Sequence, residues 1–100
     1  MSREERARLL RPLGDARGQI LLEALSKKGE LCTHELAEYT NIPQSSVSYH
    51  MKILCDSGLV KRRRDGKWTY FRLCPIGTEA LREELMYILH WGEQHQNIKK

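Results

Sequence analysis

The sequence has no apolar run of the roughly 20 residues a membrane-spanning helix needs, which excludes a protein built on helical spans. It has no Gly-rich phosphate loop, no nucleophile with an evident base, and no closed catalytic spacing among its four histidines. A metal-dependent or thiol enzyme is therefore the weaker expectation. Cysteine is scarce and odd in number: Cys32, Cys55 and Cys74 make an improbable disulfide framework, so each is either a buried apolar residue or a reactive group. Proline-rich, serine-rich and repetitive segments are also missing, as in a chain that folds. Acidic residues are in the minority, 13 against 17 Lys and Arg, and the net charge of +4 with a pI near 9.1 favours an acidic partner such as nucleic acid over an acidic substrate. At 100 residues the chain has room for one modest core, hence one domain over 1–100. The charged start, Met1 to Arg6, leads into no apolar stretch of signal length, and a cytoplasmic protein with no membrane partner is expected.

What is present reads as four helices, a hairpin and a last helix. Residues 3–11 alternate charge with Ala7, Leu9 and Leu10 and stop near Pro12. Asp15 is an N-cap for a second helix that ends on Lys27, Lys28 and Gly29, and Thr33 is the expected N-cap of a third, closed around Asn41 by Ile42-Pro43. Residues 44–57 put Val47, Met51 and Leu54 on one face and Gln44, Ser45, Ser48, Tyr49 and Lys52 on the other. Two β-rich runs within 59–73 flank Asp65-Gly66, the pair favoured at the centre of a type I′ hairpin turn. Strand alternation sends Lys61 and Arg63 to one face and Arg62 and Arg64 to the other. Trp68 and Tyr70 are expected to pack the hairpin on the domain, beside the stems of Arg63 and Lys61. Residues 78–91 carry a stripe of Leu81, Leu85, Ile88 and the adjacent Trp91.

A helix pair joined by a tight turn and followed by a basic hairpin is the winged helix-turn-helix plan, here mostly α with a small β-hairpin wing. The segment Glu30 to Leu73, "ELCTHELAEYTNIPQSSVSYHMKILCDSGLVKRRRDGKWTYFRL", resembles the ArsR/SmtB family of repressors. Ser45, Ser48 and His50 stand at the positions of its Ser-x-x-Ser-x-His recognition helix, Gly58-Leu59-Val60 follows, and Tyr70-Phe71-Arg72-Leu73 closes the wing. The resemblance implies a homodimer built from the first and last helices, bound to an inverted-repeat DNA operator and released by an inducer. The DNA-contacting residues would be Gln44, Ser45, Ser46, Ser48, Tyr49 and Lys52 with Arg62, Arg64 and Lys67. Leu9, Leu81, Leu85, Ile88 and Trp91 would form the dimer interface.

Many relatives sense thiophilic metals or metalloids with Cys-x-Cys at the start of the third helix. Here Cys32 is kept and His34 replaces the second cysteine, a pair that suits zinc, cadmium or cobalt better than arsenite. The readings left open are metal ligation by Cys32 and His34, oxidation of the thiol, or no bound cofactor and no sensing. The family's terminal-helix site is not carried over, because its ligand positions fall on Pro75, Gly77, Ile88 and Trp91. Two alternatives stand beside the inducible repressor: a winged helix serving as a protein-interaction module, and a constitutive DNA-binding regulator.

Overall fold

A computed structural model of the chain describes residues 1–94, apart from the side chains at 91, 93 and 94. Helix α1 (Arg3–Leu10) begins at a capping box in which the Ser2 hydroxyl accepts from the Glu5 N–H at 3.1 Å and Glu5 accepts from the Ser2 N–H at 2.7 Å. A 3₁₀ turn, Arg11–Gly14, leads into α2 (Ala16–Lys28), whose N-cap Asp15 accepts from the Arg17 N–H at 2.8 Å. The last turn carries Lys27 and Lys28, and Gly29 ends the helix at φ 87°. Strand β1 (Leu31–Cys32) precedes α3 (Thr33–Thr40) and α4 (Gln44–Asp56), which are joined through Asn41 in the left-handed region. Strands β2 (Val60–Asp65) and β3 (Trp68–Leu73) form the hairpin, and α5 (Pro75–Gln94) closes the chain.

The sheet is antiparallel in the order β1-β3-β2, so β1 adds a third strand that the sequence pattern does not predict. Two residues are too few for any alternation to be read. The same strand moves the start of α3: Cys32, not Thr33, holds the N-cap position, with extended backbone and its N–H donating to the Glu35 carboxylate at 2.9 Å. Helix α5 also starts earlier than expected, at Pro75, where a missing N–H costs nothing.

The hairpin turn lies one residue later than the Asp-Gly pair suggests. Asp65 pairs with Trp68, leaving Gly66-Lys67 as the loop, and Gly66 alone has positive φ, at 63°. That is the pattern of a type II′ turn, which asks for positive φ only at its first central residue. Alternation along β3 then decides the aromatics. Phe71 turns inward and is buried, and Tyr70 is half-buried opposite Arg63 as expected, whereas Trp68 is 46% exposed, contrary to the expectation that it packs the wing on the domain.

The core joins α2, α3, α4 and the sheet through Leu21, Leu25, Leu36, Val47, Met51, Leu54, Val60 and Phe71, with Leu59 just before β2. Burying each such side chain contributes about 1.5–3 kcal/mol before the ordering entropy is subtracted. Leu9, expected between two copies, is buried in the core of the single chain. The start of α5 is seated directly on the turn after α4: a Cβ at Gly77 would overlap the Gly58 carbonyl oxygen, so only glycine fits there.

Candidate nucleic-acid interface

Helix α4 buries Val47, His50, Met51 and Leu54 and exposes Gln44, Ser45, Ser48, Tyr49 and Lys52. This is the division the 3.6-residue period requires. His50 is a core-edge residue whose ring meets Tyr49 edge-on, with centroids 5.1 Å apart. Tyr49, 61% exposed, stands at the middle of the outward stripe. Lys52 reaches along the helix to Asp56 at 3.4 Å, a solvent-screened pair that leaves its ammonium accessible. Ser46 differs from the other predicted contacts: it is half-buried, and its hydroxyl accepts from the Arg17 guanidinium at 2.8 Å.

The register of the sheet sorts the four consecutive cations. Arg62 lies opposite Phe71 and Arg64 opposite Thr69, on the face that turns toward α4. Arg62, Thr69 and Phe71 share with Ser48, Met51 and Lys52 an open groove of about 460 Å³ between helix and wing. Lys61 and Arg63 occupy the outer face, with Arg72 and Tyr70 as their partners. Arg63 spans β3 to meet Glu30 in two hydrogen bonds, 3.1 Å from Nε and 2.7 Å from Nη2, with its guanidinium 4.7 Å from the Tyr70 ring centroid. The guanidinium holds the Glu30 carboxyl below its ordinary range. Sequence reasoning misses this clamp because it needs β1 beside β3, and Glu30 gives no signal of that by itself. Lys67, at the tip, stacks over Trp68 at 5.4 Å.

The sensing candidates are not brought together into a larger set. Cys32 is buried at the edge of the sheet, while His34 is exposed on α3 and turns to Glu38 at 3.4 Å. Among the described residues no three His, Cys, Asp or Glu side chains converge on a point that would hold a metal ion. All three cysteines are free, and burial pushes the Cys55 thiol up, away from the reactive thiolate.

The arrangement offers a helix narrow enough for the major groove, polar on its outward side and flanked by a cationic ribbon. The family model for "Bacterial regulatory protein, arsR family" matches residues 17–62. The arsenical resistance operon repressor of Staphylococcus aureus is 38% identical over 73 residues, covering 73% of this chain and 69% of that protein. The chain belongs to the arsR family. It is thus a transcriptional regulator rather than an enzyme. The Escherichia coli K12 arsenical resistance operon repressor is 41% identical over 58 residues, 58% of this chain. The chain spans only about half the length of that protein, 48%. At the level of fold, the homodimeric winged helix-turn-helix DNA-binding domain of a possible ArsR-family regulator from Mycobacterium bovis superposes with a TM-score of 0.69 at 23% identity, covering 92% of this chain and 86% of that one. Among the described residues no helix is long and apolar enough to cross a membrane.

Proposed function

We propose that this arsR-family chain is a repressor that binds an inverted-repeat operator as a homodimer and is released by an inducer. The observation that carries the DNA reading is the shared orientation of two cationic and polar surfaces: the outward stripe of α4 and the Arg62–Arg64 face of the wing border one groove. Base edges would meet Ser45, Ser48 and Tyr49; phosphates would meet Arg62, Arg64 and Lys67.

The homodimer reading rests on α5. Met86 and Leu89 are 69% and 54% exposed, Leu85 and Ile88 lie beside them, and a helix this apolar on its free side has a self-complementary partner as its simplest cover. Trp91, expected in the same interface, has its side chain outside the described residues. Helix α1 is fixed to this surface by Arg6, which is 2.6 Å from Glu84 and 5.1 Å from the Tyr87 ring centroid. Two recognition helices would then sit about one turn of DNA apart, roughly 34–36 Å.

Release is assigned to the Cys32 thiol. Cys32 pairs with Tyr70 of β3, so whatever shifts it shifts the wing. Cys32 and His34 supply two donors, which do not fit a resident metal ion, and the inducer of this reading is a thiol-reactive species. The 6% exposure of Cys32 favours a second reading, a constitutive DNA-binding regulator.

The test is binding of reduced protein to the DNA upstream of its gene against random competitor, with arsenite, antimonite, cadmium, zinc and a mild oxidant added separately, beside Cys32→Ser. Release of the unaltered protein but not of Cys32→Ser supports the inducible repressor. Tight binding that no agent reverses selects the constitutive regulator, and salt-insensitive or absent DNA binding selects the protein-interaction module. Sedimentation of Ile88→Asp as a monomer, with the unaltered chain a dimer, checks the α5 interface.

A further inference from the structure

The wing supplies cations to one flank of α4, yet a helix in the major groove lies between two phosphodiester strands. At 3.6 residues per turn, Ser48 and Lys52 stand on the wing side of the outward stripe, and Ser46 and Ile53 on the other side. That second flank is not neutral. Arg17, at the start of α2, donates from Nη1 to the Ser46 hydroxyl at 2.8 Å, and its own backbone N–H is held by Asp15. Arg11, in the 3₁₀ turn, borders Tyr49 and Ile53 around a cavity of about 140 Å³.

Both side chains are exposed, and among the described residues neither has a carboxylate within ion-pair distance. In this they resemble Arg62 and Arg64 of the wing and differ from Arg63, Arg82 and Arg6, which are paired with Glu30, Glu79 and Glu84. A serine hydroxyl occupies one of the five guanidinium donors and removes none of the charge. Ser46 thereby orients Arg17 and leaves its remaining donors directed to solvent beside the recognition surface.

We propose that Arg17 and Arg11 form a second phosphate-contacting rim, on the flank of α4 opposite the wing, with Ser46 as the tether of Arg17 rather than a reader of bases. The proposal rests on the DNA-binding reading above and adds the second strand to it. A bidentate guanidinium is suited to phosphate, and two rims fix the rotation of α4 about its own axis in the groove, which one rim does not.

The experiment measures affinity for a labelled random-sequence duplex over a series of sodium chloride concentrations. It compares the unaltered chain with Arg17→Gln, Arg11→Gln, Arg17→Lys, Ser46→Ala and, as a control for net charge, Arg82→Gln. Each lost phosphate contact lowers the slope of log affinity against log salt by about 0.9. Arg17→Gln and Arg11→Gln are expected to show that loss, Arg17→Lys to keep the slope, Ser46→Ala to weaken binding with the slope retained, and Arg82→Gln to change neither. Thermal unfolding of each variant confirms that the fold is kept. Slopes of Arg17→Gln and Arg11→Gln equal to that of Arg82→Gln overturn the second rim. If Arg64→Ala still lowers the slope in that case, the DNA-binding reading survives without it; if the unaltered chain binds no duplex, both are overturned.

Discussion

Arg63 and Arg64 are adjacent and identical in type, and the two faces of the wing give them opposite surroundings. On the outer face Arg63 is held by Glu30 and lies over Tyr70, with Asp65 3.8 Å away. On the inner face Arg64 stands opposite Thr69, and Arg62 opposite Phe71, turned toward α4. Strand alternation thus sorts a run of four cations into two faces, with Arg63 held by carboxylates on one and Arg62 and Arg64 without an ion pair among the described residues on the other. Charge count alone does not distinguish them; register does.

Phe71 is the residue that holds the two faces in this relation, since it is the buried residue of the central strand and pairs with both Arg62 and Leu31. Phe71→Ala leaves a cavity under the sheet and is expected to destabilise the chain by about 3–5 kcal/mol. Chemical denaturation checks this. A loss under about 1 kcal/mol would mean that the wing is not anchored through its inner face.

The next largest effect separates the two arginines directly. Arg64→Ala is expected to weaken operator and random DNA alike, by about tenfold, and to flatten the salt dependence by about one phosphate contact. Arg63→Ala should leave that slope where it was. Equal slopes for the two variants in a titration against sodium chloride would erase the distinction between the faces.

Much of this difference between the faces is legible in the amino-acid order of residues 59–73. The alternation of Lys61 to Arg64 needs only the period of a strand, and the period holds even though the turn lies at Gly66-Lys67 instead of Asp65-Gly66. The recognition helix is equally readable, because Val47, Met51 and Leu54 mark its inner side whatever they pack against. What the sequence does not carry is partnership between distant segments. Glu30 is 33 residues from Arg63, and β1 is too short to announce itself. Arg17 and Ser46 are 29 apart, on helices whose relative placement follows from the packed core. For the same reason Leu9 reads as surface for a second copy when it belongs to the core of its own chain.

The tip of the hairpin offers a smaller test of whether register is set by the turn or by burial. Gly66 has φ 63°, which costs an L-residue about 1 kcal/mol, and a Cβ there would meet no atom within 4 Å. Gly66→Ala should therefore lower stability by about that amount and leave the pairing of Val60 with Leu73 intact, since the inward side chains fix it. Cross-strand NMR contacts between these two residues report the register; their loss in the variant would assign control to the turn.

The smallest effect belongs to the clamp and has a sign that can be worked out. Arg63 depresses the Glu30 pKa below its ordinary 4.5, so the stabilisation is complete above that value and is lost as pH falls through the lower folded-state pKa. Glu30→Gln removes this titration. Thermal unfolding followed from neutral to acid pH should show the unaltered chain ahead of Glu30→Gln above about pH 4.5 and the gap closing below it. Both groups are solvent-exposed, so the gap will be small and will shrink further in salt. The informative readout is DNA binding by the same variant. If Arg63 is purely structural, Glu30→Gln leaves the salt slope unchanged at neutral pH. A steeper slope would mean that Arg63, once freed from Glu30, reaches a phosphate, and the outer face would then be a cation held in reserve by a carboxylate.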